Sequence, residues 1–467
     1  IDEAYLVAVT TQFQLSWYDH PPLAFWIVWA EQAAFGPDLP PFLLRLPFVL
    51  MFTATTALIY TLTATLFSAR AGLWAALALT AAPYYFIAAG SWLLPDGPLA
   101  LFLALSACLL ARILFIEKPG DHWGLWLALG VAAGFLLLSK YHAVFFGLGA
   151  AASLVIVPRH RHWVSRPQPY VALAIALAMF SPVVIWNVQH GWASFAFQGG
   201  RAEVSGYGLA LLAIALVGQA VYLLPWTLAG LIAVLAGALR TAAAAGERAL
   251  FLALLALPAV AVFNLLAIAG GHVLPHWPMS GWFFAFPLLG RWLAEFTGPT
   301  ARWRVAAGAG SFAATAGLVV SVLLTIAHPG AVAGNSDVAS FVSRAVSWRG
   351  LPERLDELAP DLAEGAFLAT WSWIDAARVA ESIRPDRPVV VLARDQRGFA
   401  QLIDQDALVG RDAIIVIPAE QAERRLRSLE GRFKSIEIIG TASVPSGGAP
   451  ALQLVVARGR GFSDPYD

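Results

Sequence analysis

Long apolar runs separated by short polar breaks dominate roughly the first 330 residues of the chain. A helix needs about 20 mostly apolar residues to cross a bilayer, and Pro and Gly mark most of the breaks between the runs. The pattern therefore predicts a polytopic helical membrane protein that is mainly α. The ten predicted spans cover residues 42–67, 71–90, 97–116, 123–139, 141–157, 169–188, 208–237, 249–270, 279–296 and 304–327.

Lys and Arg in the connections predict the orientation of these spans, because short cytoplasmic loops carry an excess of both residues. The two residue types fall on alternate connections, so the face that carries them is predicted to be cytoplasmic. The opening segment and the loops SWLLPDGP, SKYHA, QHGWASFAFQGGR and GHVLPHWP are predicted to lie on the other face. The cytoplasmic set consists of Arg70, Arg112, Lys118, the loop PRHRHWVSR, Arg240, Arg248, Arg302 and Arg304.

The pattern changes after Ile326, where most of the acidic residues lie and apolar strand-like runs alternate with amphipathic helical ones. We therefore predict a transmembrane domain over residues 1–327 and a small α/β soluble domain over 328–467, on the non-cytoplasmic side. This domain has no Gly-rich phosphate loop, so nothing suggests a nucleotide. The strand candidates are GAFLAT, RPVVVLAR, DAIIVIP, SIEIIG and ALQLVVAR, and the helix candidates are DAARVAESI and AEQAERRLRSLEG.

Composition narrows the class of protein. The 467 residues are 59% hydrophobic and 13% charged, against about 25% charged in soluble domains, so lipid surrounds most of the chain. The net charge of zero gives no reason to expect a nucleic acid partner. Cys108 is the only cysteine, which excludes intrachain disulfides and a Cys-based metal site.

The opening segment has neither an initiator Met nor a signal-peptide pattern, although the charge pattern places it outside the cytoplasm. We therefore expect a further transmembrane helix, with a cytoplasmic N-terminus, to precede residue 1 in the natural protein.

Five motifs in order resemble a known family. DEAYL with YDHPPLAFWIVWAEQAAFGPDLPPFLLRLPFVL, then SWLLPDGPL, GFLLLSKYHAV, SPVVIWNVQHGWASFAFQGGR and PHWP are similar to bacterial GT-C glycosyltransferases. The relevant branch is related to protein O-mannosyltransferases and to the lipid A aminoarabinose transferase. The resemblance implies a transferase that takes a sugar from a polyprenyl phosphate on the periplasmic side of the inner membrane. It also implies that the Asp of the first acidic motif, Asp2, is the catalytic base.

The chemistry of such a transfer requires a base and groups that bind phosphate. A carboxylate takes a proton from the acceptor, and cations or hydrogen-bond donors neutralise charge on the departing phosphate. Asp2 and Glu3 are the candidates for the base. The competing interpretation of Asp2 is a helix N-cap, and both roles can coexist because a capping carboxylate keeps a free oxygen.

Two further loops carry acids. In YDHPP the prolines display Asp19 and His20 from a rigid turn, beside Tyr18. We predict that these three residues position donor or acceptor; an ordinary interfacial turn is the alternative. Asp96 stands at the mouth of a predicted span. An acid at bilayer depth is costly, so we assign Asp96 to catalysis. Helix capping is the alternative role.

The later loops supply candidates for substrate binding. Lys140 suits a donor phosphate as a point charge, although a lysine there also suits contact with lipid headgroups. Arg201 follows two glycines that let the backbone approach a ligand, and a plain loop arginine is the alternative. His276 lies between two prolines, and Asn187 and Gln198 belong to the same segment as Arg201.

Several alternatives stay open from the sequence. A transporter or lipid flippase is the main rival, although such proteins tend to show internal repeats and midplane charges. A sensor with the C-terminal domain as its binding module is a third. Aminoarabinose, mannose and galacturonate are candidate sugars, and lipid A, glycan and protein are candidate acceptors. No cofactor is demanded, and a divalent cation at Asp2, Glu3 and Asp96 stays open.

Overall fold

A computed structural model describes the chain over residues 1–463. The residues left out are 38, 117–119, 202–203, 205, 207, 241–245, 296–300, 328–347, 349, 361–364, 384–388 and 447–448. The start of the predicted soluble domain, 328–347, and the predicted cytoplasmic Lys118 therefore lie outside the described residues.

The described residues form many helices and one sheet. The helices are α1 Asp2–Val9, α2 Leu23–Phe35, α3 Pro41–Leu66, α4 Ala69–Ala81, α5 Asp96–Ala111, α6 Trp123–Ser139, α7 Ala143–Ile156, α8 Gln168–Met179, α9 Ser181–Gln189, α10 Ala193–Gly200, α11 Leu209–Leu223, α12 Pro225–Arg240, α13 Glu247–Ile268, α14 Met279–Trp282, α15 Phe286–Glu295, α16 Ala301–Ala327, α17 Leu351–Leu358, α18 Trp373–Ile383 and α19 Ala419–Arg427. The strands are β1 Phe367–Thr370, β2 Val389–Val391, β3 Ala413–Pro418, β4 Phe433–Ser446 and β5 Ala449–Phe462.

Every predicted span contains helix, but fewer helices than predicted are long enough to cross a bilayer. Among the described residues three helices have the length and hydropathy of a span, Pro41–Leu66, Asp96–Phe115 and Glu247–Ile268. The number rises to six if each of three bent pairs counts as one span. The pairs are α7 with the short 3₁₀-helix Pro158–Ser165, α8 with α9, and α11 with α12. By this measure the described residues contain fewer full-length spans than the ten predicted.

Proline is the physical reason for the bent pairs. Pro158, Pro182 and Pro225 each stand at or next to the first residue of the second helix of a pair. A proline tolerates a helix start but removes a backbone donor inside a helix. The pairs bend by 108°, 41° and 106°, so the predicted span 208–237 is two helices, α11 and α12.

The chain divides into two compact units. The helical unit contains Gln14–Ala24 and Pro41–Leu318, and the mixed unit contains Ile1–Phe13, Phe25–Pro40 and Val319–Asp467. The helical unit is built around a core of aromatic and aliphatic side chains from α3 to α7 and α11 to α15. Apolar helices that face lipid on one side still bury their other side against one another, which fixes the loops that connect them.

The mixed unit contains the five-stranded sheet, in the order β2-β1-β3-β5-β4. Strand β1 pairs in parallel with β2 and β3, whereas β5 pairs antiparallel with β3 and β4. All five predicted strands and both predicted helices are present, which confirms the α/β prediction for this part of the chain. The buried faces of β1 and β3 explain why their sequences are almost wholly apolar.

Helix α1 belongs to the mixed unit, where it packs against α18. The ring of Tyr5 meets Trp373 edge-on at 5.4 Å between centroids, and its hydroxyl accepts a hydrogen bond of 3.0 Å from the backbone N–H of Gly398. The helix that carries Asp2 therefore forms one compact unit with the C-terminal residues.

Two glycines of α7 offer a matched test of helix packing. A Cβ at Gly149 would lie 2.6 Å from the carbonyl oxygen of Leu254 on α13, whereas a Cβ at Gly147 meets nothing within 4 Å. We expect Gly149→Ala to destabilise the protein by about 1–3 kcal/mol because the two backbones must separate. Gly147→Ala is expected to be neutral or stabilising. Thermal unfolding in detergent measures both, and equal effects would contradict the packing of α7 on α13.

Candidate active site

A buried ion pair joins two of the predicted site residues. Asp96 is the first residue of α5, and Lys140 follows the last residue of α6 in extended backbone. The Lys140 ammonium donates to both carboxylate oxygens of Asp96, at 2.8 and 2.9 Å. Their side chains are 6% and 8% exposed, so the pair is removed from solvent on both sides.

Tyr84 completes this arrangement by donating its hydroxyl hydrogen to Oδ1 of Asp96. Tyr84 lies in a short π-helix, Tyr84–Ala89, that follows Pro83. Its neighbour Tyr85 donates to the backbone carbonyl of Met279 at 2.6 Å. The π-helix and the end of α6 therefore fix the Asp96 carboxylate, through Tyr84 and Lys140. The remaining Lys140 N–H is the donor that a ligand could use, since an ammonium carries three.

Two histidines lie near the ion pair. Burial lowers the pKa of His276 to about 4; the charges of Lys140 and Arg201 act in the same direction, and the charge of Asp96 opposes them. His276 is therefore neutral at pH 7 and adds no positive charge to the cluster. The ring of His142 lies 4.9 Å from Phe263 and 6.3 Å from Trp277, between centroids.

Arg201 is held by aromatic rings. Its guanidinium carbon lies 4.9 Å from the centroid of Phe197 and 5.4 Å from that of Trp277. Such cation–π contacts orient the planar guanidinium. Arg201 follows α10, and its partner ring Trp277 adjoins His276, so two loops meet at this cation.

The loop YDHPP contacts the same segment. The side-chain amide of Gln198 donates to the backbone carbonyl of Asp19 at 2.6 Å, and the rings of Tyr18 and Phe197 are 4.9 Å apart. Asp19 is 4% exposed, whereas His20 is half-buried. Tyr18, Asp19 and His20 are thus brought to the loop that carries Arg201.

Asn187 organises the turn between α9 and α10. Its amide nitrogen donates to the carbonyl of Val183 at 2.9 Å, and its amide oxygen accepts from the N–H of Phe195 at 3.3 Å. Tyr141, beside Lys140, hydrogen-bonds Ser194 at 2.6 Å between hydroxyl oxygens. These contacts show how Asn187 shapes the segment and how the segment is fastened to the Lys140 loop.

Asp2 and Glu3 lie in the mixed unit, whereas the other predicted site residues lie in the helical unit. Both are in the first turn of α1, with Asp2 exposed and Glu3 half-buried. The N-cap of α1 is Ile1, without a side-chain cap bond. Asp2 is therefore the first helical residue, and its carboxylate is not the N-cap that the competing interpretation required.

Sequence reasoning missed Tyr84 and the aromatic support of Arg201. Tyr84 lies inside a predicted apolar span, and its only signal is a pair of adjacent tyrosines directly after Pro83.

Within the described residues, no group of three or more His, Cys, Asp or Glu side chains is placed to hold a metal ion. The cavity that borders Asp96 measures about 10 Å³, room for about one water molecule.

The helical bundle and its joined loops have the fold of GT-C glycosyltransferases. Over its whole length the chain is similar to ArnT from Cupriavidus metallidurans bound to undecaprenyl phosphate. The identity is 17% and the TM-score 0.63, over 100% of this chain and 95% of that one. The apo structure of the same ArnT gives 16% identity and a TM-score of 0.62, over 99% and 94% of the two chains.

A family model supplies the second comparison. Residues 19–186 match the family described as dolichyl-phosphate-mannose-protein mannosyltransferase, and this segment contains Asp19, His20, Asp96 and Lys140. No curated protein matches the chain in sequence. The shared fold and the family match confirm the resemblance predicted from the motifs.

Proposed function

We propose that the chain transfers a sugar from a polyprenyl-phosphate donor to an acceptor in the bacterial envelope. The observation that carries this proposal is the placement of Lys140 and Arg201 on loops that contact one another in the helical unit. A cationic site between apolar helices suits a ligand with a phosphate head and a hydrocarbon tail. The fold shared with ArnT, whose structure holds undecaprenyl phosphate, supports the same ligand class.

Lys140 and Arg201 bind the donor phosphate in this proposal. The phosphate gains negative charge as its bond to the anomeric carbon breaks, and fixed cations stabilise that charge without reorganising. Asp96 then acts as a positioning residue, because both of its oxygens are engaged by Lys140. This role replaces the catalytic assignment that the sequence suggested for Asp96.

Asp2 is the proposed base, with Glu3 as the neighbouring candidate. The acceptor hydroxyl or phosphate attacks the anomeric carbon, and a carboxylate within hydrogen-bond reach takes its proton. Asp2 is exposed and is not the N-cap of α1, which leaves its oxygens open to an acceptor. The acceptor is lipid A, another glycan or a protein, and the sequence gives no preference among them.

We also propose that the protein lies in the inner membrane with its active site and C-terminal domain in the periplasm. The support is the alternation of Arg-rich connections with the loops that carry the site residues. Cysteine labelling from either side of intact cells tests this placement; labelling of C-terminal positions only from the cytoplasm would contradict it.

Arg201→Gln is expected to lower kcat/KM for the donor about 10- to 150-fold. A hydrogen bond to a charged group is worth about 1.5–3 kcal/mol, which corresponds to that range. The apparent donor affinity should fall together with turnover, because the cation binds the phosphate in the ground state and more strongly in the transition state, where the phosphate carries more charge. Initial-rate kinetics measure the effect, with Arg240→Gln, at the end of α12, as the control. Unchanged donor kinetics would remove Arg201 from the site.

Purified protein in liposomes, given a radiolabelled polyprenyl-phosphate sugar and an envelope extract, tests the function. We expect label to move from the lipid donor to an acceptor.

The bent pairs of helices favour a second candidate, a lipid transporter, since broken helices are typical of transporters. Movement of intact donor across the bilayer without sugar transfer would support that candidate and contradict ours.

A further inference from the structure

A second cationic site lies in the helical unit, away from the residues described above. It is a cavity of about 550 Å³ at the meeting point of several helix ends, and we refer to it as the arginine cavity. Its lining residues are Leu66, Phe67, Ser68, Arg70, Ala71, Phe115, Arg159, Gly246, Glu247, Arg248, Arg291, Ala294 and Glu295.

The arginine cavity lies at the opposite end of a span from the ion pair. The segment Asp96–Phe115 is 20 residues long and apolar enough to cross a bilayer. Asp96 begins it, and Phe115 lines the cavity. At a rise of 1.5 Å per residue the two ends are about 30 Å apart, the thickness of a hydrocarbon core. The two sites are therefore separate.

Four arginines and two glutamates line the cavity, which leaves a formal charge of +2 (four minus two). Arg248 is fixed by donating to the carbonyl of Leu66 at 2.7 Å. The guanidinium carbon of Arg291 lies 5.0 Å from the centroid of the Phe67 ring, and its Nε donates to Glu295 at 3.0 Å. These contacts hold two of the cations in place around the space.

Arg70 and Arg159 are exposed, as is Arg248, whereas Arg291 is half-buried. The closest approach of Arg159 to a carboxylate is 3.9 Å, to Glu247, with both side chains more than two-fifths exposed. Such an exposed pair contributes little. The guanidinium groups of Arg70 and Arg159 therefore keep most of their capacity to bind an anion.

Two helices also begin at the cavity. Helix α4 starts after its N-cap Ser68, and α13 starts after Gly246, whose φ of +84° suits glycine. Helix N-termini carry partial positive charge and favour anions. The arginines, the cavity volume and these two helix starts all favour the same kind of ligand.

We propose that the arginine cavity binds a phosphate group, carried by an anionic lipid headgroup or by a soluble phosphate compound. Guanidinium groups match phosphate geometry with paired hydrogen bonds. The cavity lies at a span end, where a headgroup would sit with its acyl chains along the neighbouring helices. The alternative explanation is that these arginines only set the orientation of the protein in the membrane, which does not require them to line one cavity. Phosphate binding at the cavity is expected only under our proposal.

Native mass spectrometry of the full chain, titrated with palmitoyl-oleoyl phosphatidylglycerol, tests the lipid source. We expect Arg70→Gln combined with Arg159→Gln to weaken binding about 30-fold, since each cation near a membrane surface contributes about a fivefold effect. Arg166→Gln is the control: Arg166 is an exposed arginine 3.5 Å from Asp121 and does not line the cavity.

Calorimetric titration with inorganic phosphate and with glycerol 3-phosphate tests the soluble source on the same variants. If the double variant, but not Arg166→Gln, binds the lipid or the soluble phosphate less tightly, the proposal is supported. The ligand whose binding weakens is then the source of the phosphate. Equal binding by the double variant and the unchanged protein in both titrations would overturn it. An equal loss in Arg166→Gln would also overturn it, because general surface charge would then explain the binding. Sugar transfer is a separate readout, so failure of the proposed function would not affect this result.

Discussion

Replacement of Asp2 by Asn is expected to lower the rate of sugar transfer about 100- to 10,000-fold, the usual range for loss of a general base. The amide keeps the size of the side chain but cannot accept the proton of the attacking group. Donor binding should survive, because the proposed phosphate contacts belong to Lys140 and Arg201. Single-turnover transfer and equilibrium donor binding, measured on the same preparation, separate the two effects.

A matched control tests the electrostatic alternative. Glu353 occupies the first turn of α17, as Asp2 occupies that of α1, so Glu353→Gln removes a comparable interaction with a helix dipole. We expect this control to retain full activity. Near-normal activity of Asp2→Asn would contradict the role of Asp2. A large loss in Glu3→Gln instead would move the base to Glu3.

Asp96→Asn is expected to destabilise the helical unit by about 3–5 kcal/mol, because it leaves the buried charge of Lys140 without its partner. The loss should appear as a lower unfolding temperature in detergent and as impaired folding in cells. Tyr84 would also lose the anion that accepts its hydrogen bond. The effect should exceed that of any exposed ion pair in the helical unit.

Two further variants separate the effect of leaving one buried charge unpaired from the effect of losing any ion pair. Asp121→Asn breaks the exposed pair with Arg166 and should change stability by about 0–1 kcal/mol. Asp96→Leu combined with Lys140→Met removes both charges and should recover much of the stability that Asp96→Asn loses. This double variant should still lack transfer activity. If Asp96→Asn unfolds no more easily than Asp121→Asn, the buried pair does not stabilise the unit.

Hydrophobic pattern predicts the helices of this chain better than it predicts their lengths. The runs at 42–67 and 249–270 are nearly the observed α3 and α13. The run at 208–237 looks equally continuous, but Pro225 and the preceding Leu224, whose φ is +70°, turn the chain by 106°. The mean hydropathy of the run does not reveal such a turn, because one proline between two apolar helices hardly changes the mean hydropathy.

The candidate site could be predicted in its residue types but not in its pairings. Asp96 and Lys140 are 44 positions apart, and only the packing of α5 on α6 shows that they form an ion pair. Tyr84 is marked in the sequence only by its neighbours Pro83 and Tyr85. The aromatic support of Arg201 depends on Trp277, 76 positions later by residue number (277 minus 201). Contacts of this kind follow from tertiary packing, which the local periodicity of hydrophobic residues does not reveal.

Electron cryomicroscopy of the protein with undecaprenyl phosphate tests the central proposal most directly. We expect the phosphate within hydrogen-bond distance of the Lys140 ammonium and the Arg201 guanidinium, with the polyprenyl chain running between helices of the helical unit. Arg201→Gln should weaken or remove that density under the same conditions. A phosphate bound only in the arginine cavity, or away from both Lys140 and Arg201, would contradict the proposed active site.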